Sequence, residues 1–247
     1  MTAQPALWRR LVAEAVGTGL LVTVVVGSGI AATTLTPGDA GLQLFYNSTA
    51  TILGLTVLIL LMGPVSGAHF NPLVSAADWW LGRRSATGLP ARELGAYVAV
   101  QVLGAIAGAV LANLMFDEGH GLSGKDRSGS HLWLGELVAT AGLIALIFAL
   151  ARSQRGAWAA PAVGAYIGAA YWFTSSTAFA NPAVTLGRVF SDSFAGIAPG
   201  SVPGFLIAQL AGTVLGVGLV RILYPDVAAA ADDVVVPHPA RGRTASS

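Results

Sequence analysis

The dipeptide Asn-Pro occurs twice at the start of a short apolar segment, and this repeat constrains the fold more than any other feature. The copies are Asn71-Pro72 and Asn181-Pro182, and the two asparagines lie 110 residues apart. Asn caps a helix with its side-chain oxygen, and Pro fits the first turn because its missing N–H has no partner there. One copy is ordinary capping. Two copies at matching places predict a pair of related short helices, at about residues 71–81 and 181–190.

The rest of the chain is too apolar for a water-facing surface. It is 54% hydrophobic and 10% charged, whereas soluble domains carry roughly 25% charged residues. We therefore expect an integral, all-α membrane protein, in which neither short helix is long enough to cross the bilayer. Gly63-Pro64 is expected to end the second span. The six predicted spans are residues 7–32, 42–62, 93–116, 131–151, 157–174 and 202–224.

The two halves of the chain resemble each other around shared polar residues. Glu14 and Glu136 each stand near the start of a half, and Gln101 and Gln209 each lie on the span after a short helix. Each half reads span, span, short helix, span. Three spans are an odd number, so the second half must be inverted relative to the first. The predicted segments are a first repeat at 1–116, a connecting loop at 117–130, a second repeat at 131–224 and a disordered tail at 225–247.

The distribution of positive charge sets the orientation. With the N-terminus in the cytoplasm, ten of the thirteen Lys and Arg fall on the inner side, and Lys125, Arg127 and Arg188 fall on the outer side. Cytoplasmic loops carry the excess of Lys and Arg in membrane proteins. We therefore expect both termini to be cytoplasmic.

Inversion makes the two short helices dip from opposite faces and meet at their N-termini. Non-helical backbone before each Asn is tolerated in a membrane only beside protein or a water-filled cavity. Each helix N-terminus carries about half a positive charge. Two of them at the midplane would repel cations, hydronium included, while neutral solutes pass. No nucleophile–base pair, phosphate loop or metal-ligand spacing suggests an enzyme, a cofactor or a metal site, and the net charge of +1 gives no reason to expect a nucleic-acid partner.

These features resemble the major intrinsic protein family of aquaporins and aquaglyceroporins. Residues 66–72 read Ser-Gly-Ala-His-Phe-Asn-Pro and residues 179–183 read Phe-Ala-Asn-Pro-Ala. The resemblance implies the aquaporin fold and a homotetramer with one pore per subunit in a bacterial inner membrane. Its partners would be lipid, water and small neutral solutes. The pore midpoint would be formed by Asn71, Pro72, Leu73, Asn181, Pro182 and Ala183, with Leu73 in a place where the family usually has Ala.

The outer constriction departs further from the family pattern. The family generally has Arg three residues after the second Asn, and this chain has Val184. The spacing places Thr51, or Leu53 if two residues are gapped, with Ala169 and Ala178 at the other constriction positions. This set contains no aromatic residue and no Arg, so we expect a wide and weakly polar constriction. Arg188 is either a displaced selectivity residue at the outer mouth or a structural residue that complements the C-terminus of the half-helix or anchors the loop with Asp192.

Several polar residues are expected to support the re-entrant loops. Glu14 and Glu136 would accept hydrogen bonds from loop backbone, with His69, Gln101 and Gln209 assisting. A proton relay is the alternative, since intramembrane carboxylates also serve pumps. A relay would contradict a midpore that blocks protons, so we favour support.

The motifs look most like those of a bacterial subgroup associated with arsenic-resistance operons. That resemblance implies passage of arsenite, antimonite and methylated arsenicals beside glycerol-like solutes and water. The alternatives are an ordinary water channel, a gradient-coupled secondary transporter and a membrane scaffold with a closed pore. A transporter normally carries intramembrane charges for ion coupling, and here only Glu14 and Glu136 qualify.

Overall fold

The computed structural model describes residues 5–83, 87–119 and 121–225. The described residues form helices and connecting segments without a strand. The predicted tail from residue 226 lies outside the described residues, as do His120 and residues 84–86. The helices are α1 Leu7–Leu35, α2 Ala40–Ser66, α3 Pro72–Gly82, α4 Ala91–Met115, α5 Ser130–Arg152, α6 Ala159–Phe173, α7 Pro182–Gly187 and α8 Val202–Leu223.

Five helices, namely α1, α2, α4, α5 and α8, are long and apolar enough to cross a membrane. Helix α6 has 15 residues and continues directly from a 3-10 turn at Gly156–Trp158. These six and the two short helices α3 and α7 form the predicted arrangement. The predicted all-α architecture is confirmed, and the long apolar helices indicate an integral membrane protein.

The end of α2 differs from the expectation for Gly63-Pro64. The helix runs through Pro64 to Ser66 and ends at Gly67, which has a φ of +88° and donates its N–H to the Gly63 carbonyl at 3.0 Å. Pro64 removes only its own backbone N–H from the helix. Val65 and Ser66 can therefore continue the helix after it. The left-handed glycine, rather than the proline, reverses the chain into the loop that precedes α3.

Glycines let the helices of each half approach closely. A Cβ on Gly104 of α4 would lie 2.2 Å from the Ala15 carbonyl oxygen of α1. In the second half, a Cβ on Gly212 of α8 would lie 2.5 Å from the Leu137 carbonyl oxygen of α5. No side chain fits at such contacts, and small residues of this kind are how membrane helices pack. The pairs α1–α4 and α5–α8 therefore form equivalent walls that hold the half-helices between them.

Candidate functional site

The two half-helices are joined through their capping asparagines. Asn71 Oδ1 accepts from the Leu73 N–H at 2.9 Å, and Asn181 Oδ1 accepts from the Ala183 N–H at 3.0 Å. The amide nitrogens cross over: Asn71 Nδ2 donates to the Ala180 carbonyl at 2.8 Å, and Asn181 Nδ2 donates to the Phe70 carbonyl at 2.7 Å. This exchange is reciprocal, as a twofold relation between the halves requires. Each amide group has two N–H donors, so one remains for a solute.

The loops before the asparagines share an unusual backbone. Ala68 and Phe70 have φ of +49° in the first half, and Ala178 and Ala180 have φ of +48° and +47° in the second. Non-glycine residues in this region are strained, and the surrounding structure must hold them. The same alternation in both loops shows that each chain segment is held in a defined shape.

Glu14 binds the first loop. This fully buried carboxylate accepts from the His69 N–H at 2.9 Å and the Phe70 N–H at 2.7 Å, and from Ser66 Oγ at 2.7 Å. Gln101 Nε2 donates to it at 2.8 Å. Charge-assisted bonds of this kind are about twice as strong as neutral ones. The carboxylate therefore ties α1, the end of α2, α4 and the loop together.

Glu136 makes the equivalent contacts in the second half. It is fully buried and accepts from the Phe179 and Ala180 N–H groups, both at 2.8 Å. Gln209 Nε2 donates to it at 2.6 Å and to Thr185 Oγ1 at 2.9 Å. With these donors in place, the carboxylate has the geometry of a loop support.

His69 has both a wall contact and a pore contact. Its Nδ1 lies 3.0 Å from Ser75 Oγ, and its Nε2 lies 3.9 Å from Asp78 Oδ2. Gln101 Nε2 also donates to Ser75 Oγ, at 3.0 Å. The contacts with Ser75 and Asp78 fix the His69 side chain against α3. The same residue also borders the central cavity.

One cavity runs between the helices past both asparagines. Its apolar wall comes from α1, α2, α3, α5, α6 and α7. Its polar groups come from α2, α6, the two loops and the 3-10 turn that follows α7. No aspartate or glutamate is among the described residues that line it. The polar lining residues are Thr51, His69, Asn71, Tyr171, Asn181 and Arg188.

The structure decides between Thr51 and Leu53. Thr51 is 2% exposed and lines the cavity, whereas Leu53 is 63% exposed on the outer side of α2. Two residues rotate a helix by roughly 200°, so only one of the pair can face inward. Ala178 and Val184 also line the cavity.

The prediction for Ala169 is wrong. Ala169 is exposed on the outer side of α6 and does not line the cavity, and Tyr171 lies there instead. The Tyr171 hydroxyl is 3.2 Å from Thr51 Oγ1. The expected absence of an aromatic residue from this region is therefore also wrong. The signal was in the sequence, because Val163, Ile167 and Tyr171 repeat every four residues along one helix face.

Arg188 also lines the cavity, and its partner is not the predicted one. It is 2% exposed, and its Nε donates to the Ala195 carbonyl. Its Cζ lies 3.4 Å from the centre of the Phe179 ring. Asp192 instead accepts from the Gly124 N–H at 3.0 Å. The anchor through Asp192 is therefore wrong, because a backbone carbonyl holds the arginine.

Comparisons with known proteins place these features in a family context. Residues 1–176 match the family described as major intrinsic protein. The chain is 54% identical over 220 residues to aquaglyceroporin AqpS of Rhizobium meliloti, covering 88% of this chain and 91% of that protein. It is 30% identical to a glycerol uptake facilitator protein of Pseudomonas aeruginosa, covering 89% and 90%. The X-ray structure of the aquaglyceroporin from Plasmodium falciparum matches with a TM-score of 0.68 and 19% identity, over 90% of this chain and 99% of that one.

Proposed function

We propose a solute range and a membrane arrangement for this protein from one premise, that the chain belongs to the major intrinsic protein family. It is a membrane channel of the aquaglyceroporin type and not an enzyme. Members of this family pass water and small neutral solutes such as glycerol. The finer points are which neutral solutes pass, what sets the size limit and how the chain sits in its membrane.

The crossed asparagine amides carry the proposal. Each is fixed by a hydrogen bond to the opposite loop, at 2.8 Å from Asn71 and 2.7 Å from Asn181. A solute in the cavity meets donors held in place, together with the positive ends of two half-helices. Neutral hydroxyl-bearing solutes can accept from these donors, and cations are repelled. This arrangement supports a passive pore for neutral molecules.

The outer part of the pore supports passage of solutes larger than water. Val184 occupies the place where the family generally has Arg, so the side chain at that position of the cavity wall is short and apolar. Arg188 follows about 6 Å further along the helix axis. Thr51 and Tyr171 provide a pair of hydroxyl groups in the cavity wall. We expect glycerol and neutral metalloid acids, namely arsenite, antimonite and methylated arsenicals, to pass with water.

Arg188 is proposed to act as a displaced selectivity residue at the outer mouth. It borders the cavity while its Nε is held by the Ala195 carbonyl. We expect Arg188→Ala to change the ratio of glycerol to water permeability, and Arg92→Ala on the inner side to leave that ratio unchanged. An unchanged ratio in Arg188→Ala would assign the residue to loop structure alone.

The membrane arrangement is proposed from charge and surface. The sequence predicts ten of the thirteen Lys and Arg on the side of the N-terminus, which favours cytoplasmic termini in a bacterial inner membrane. A homotetramer would cover part of the apolar outer surface. The chain lacks cysteine, so Ser128→Cys and Ser153→Cys give clean reporters. A membrane-impermeant maleimide should label the first from outside and the second only after permeabilisation.

Flux through purified protein in liposomes tests the channel and its solutes together. Stopped-flow light scattering would measure water, glycerol and arsenous acid permeability. We expect each to exceed that of empty liposomes, without saturation at low solute and without dependence on a sodium or proton gradient. Saturation or gradient dependence would favour the secondary transporter. Permeability equal to empty liposomes for every solute would favour a closed scaffold.

A further inference from the structure

Three cations converge at the outer end of the cavity. Lys125 and Arg127 belong to the segment between α4 and α5, and Arg188 follows α7. All three donate to carbonyls of residues 194–196. Lys125 Nζ donates to the Phe194 carbonyl at 2.6 Å, and Arg127 Nη2 donates to the same carbonyl at 3.2 Å. Arg127 Nε donates to the Gly196 carbonyl at 2.7 Å. Arg188 Nε donates to the Ala195 carbonyl.

The two guanidinium groups share one aromatic ring at the cavity wall. Arg188 Cζ lies 3.4 Å and Arg127 Cζ lies 5.0 Å from the centre of the Phe179 ring. Both Phe179 and Arg188 line the cavity. The cluster therefore borders the path into the pore rather than a remote surface.

Among the described residues no carboxylate lies within ion-pair distance of the cluster, and the buried Glu136 acts on Arg127 and Arg188 only from farther away. The neighbouring acids face other groups: Asp126 accepts from the Ser128 N–H at 3.0 Å and Ser201 Oγ at 2.9 Å, and Asp192 accepts from the Gly124 N–H at 3.0 Å. Burial, together with the two arginines, lowers the pKa of Lys125 to about 8.

Arg188 is the member of the cluster suited to hold a ligand. It is 2% exposed, and its Nε bond to Ala195 is the one hydrogen bond of its guanidinium within the described residues. Its two terminal nitrogens keep their N–H donors, and a guanidinium presents paired donors that match the two oxygens of an oxyanion.

We propose that the outer mouth binds a small monovalent oxyanion, a carboxylate or the conjugate base of an oxoacid, on Arg188, with Lys125 and Arg127 supplying further positive charge. The anion balances three cations that have no ion-pair partner among the described residues. Oxyanion binding follows from the cluster of Lys125, Arg127 and Arg188 alone. Only the location of the site at a pore mouth rests on the proposed function. The site would concentrate such anions at the entrance used by neutral solutes.

Saturation-transfer NMR on the purified full chain in uncharged maltoside micelles at pH 7 tests the site. Formate is the probe and formamide its neutral isostere. We expect saturation transfer to formate, displacement by nitrate, and much weaker transfer to formamide. Arg188→Gln should weaken formate binding about tenfold or more, and Lys125→Gln, which keeps an N–H donor for Phe194, about threefold. Arg92→Gln is the matched control, because the Arg92 side chain is 80% exposed on the inner side.

The outcomes separate clearly. Equal transfer to formate and formamide, or formate binding that is unchanged in Lys125→Gln, would overturn the proposal. A loss of formate binding in Arg92→Gln as large as in Lys125→Gln would also overturn it. Lys125 is partly exposed, so its variant gives a result even if Arg188→Gln does not fold. Glycerol permeability of the same preparation without added anion reports separately on the channel.

Discussion

The two halves of the molecule share a frame and differ at its ends. In each half a buried glutamate binds two loop N–H groups, and a glutamine links that glutamate to a hydroxyl four residues after the capping asparagine. Beyond this frame the halves diverge, because α3 has 11 residues and α7 has only 6 before a 3-10 turn. The matched sets are Glu14, Gln101 and Ser75 in the first half and Glu136, Gln209 and Thr185 in the second.

The charged side chains near the two half-helices also differ between the halves. On the first half-helix side, Arg10 and Glu93 form a buried ion pair at 2.7 Å, and Asp78 Oδ2 accepts from the Leu89 N–H at 2.6 Å. On the second side, the side-chain hydrogen bonds of Lys125 and Arg188 within the described residues go to carbonyls and not to carboxylates. The comparison teaches that symmetric residues hold the pore midpoint, whereas asymmetric residues give each mouth its own chemistry.

The largest expected effect comes from breaking the shared frame. Glu14→Ala and Glu136→Ala each leave two buried loop N–H donors without an acceptor and remove one of the two acceptors of a glutamine amide. Losing a charged acceptor in a buried network costs about 3–5 kcal/mol, so both variants should lose most of their folded protein. Unfolding in mixed micelles measures this, with Glu118→Ala in an exposed loop as the control. A large loss in one half with none in the other would contradict the shared frame.

A smaller effect is expected from the glycine contacts of the two walls. Gly104→Ala and Gly212→Ala place a methyl group against a backbone carbonyl, at 2.2 and 2.5 Å. Overpacking of this kind costs about 1–3 kcal/mol, and thermal unfolding should show it in both variants. Gly218→Ala, which meets nothing within 4 Å, should match wild type. Wild-type stability in both wall variants would mean that the walls are not so closely packed.

Substitutions at Thr51 and Leu53, which lie two residues apart on α2, should affect solute permeability differently. Thr51→Val removes the hydroxyl that lies 3.2 Å from Tyr171, so glycerol permeability should change by a few fold through the loss of a hydrogen-bonding group. Leu53→Val on the exposed side should leave it unchanged. Stopped-flow measurements on both variants test this directly, and the reverse pattern would place Leu53 in the pore.

The smallest expected effect is a pH dependence at the outer mouth. With a pKa of about 8, Lys125 is charged below that pH and neutral above it, so formate binding should weaken as pH rises from 7 to 9. Lys125→Arg should remove this change, because arginine stays protonated. The neighbouring ionisable groups are Arg127, Arg188, Asp126, Asp192, Glu136 and Tyr171. An identical decline in Lys125→Arg would assign the titration to one of those groups.

Sequence patterns predicted the frame because it is repeated. Asn71 and Asn181, and the pairs of Glu and Gln, recur at similar spacing, and inversion follows from counting spans. Sequence patterns that occur only once predicted the positions of site residues less well. Spacing taken over from other proteins placed Ala169 in the pore, although helix phase from Val163 and Ile167 selects Tyr171. Arg188 and the Ala195 carbonyl meet through loop conformation, which no local propensity encodes.

Solute size selection at Val184 is the central claim, and one comparison tests it most directly. Stopped-flow permeability to water and glycerol would be measured for wild type, Val184→Arg and the control Val184→Ala in liposomes of equal protein content. We expect glycerol flux in wild type and Val184→Ala, and a loss of about tenfold or more in Val184→Arg with a smaller change for water. Wild-type glycerol permeability equal to empty liposomes, or unchanged glycerol flux in Val184→Arg, would contradict it.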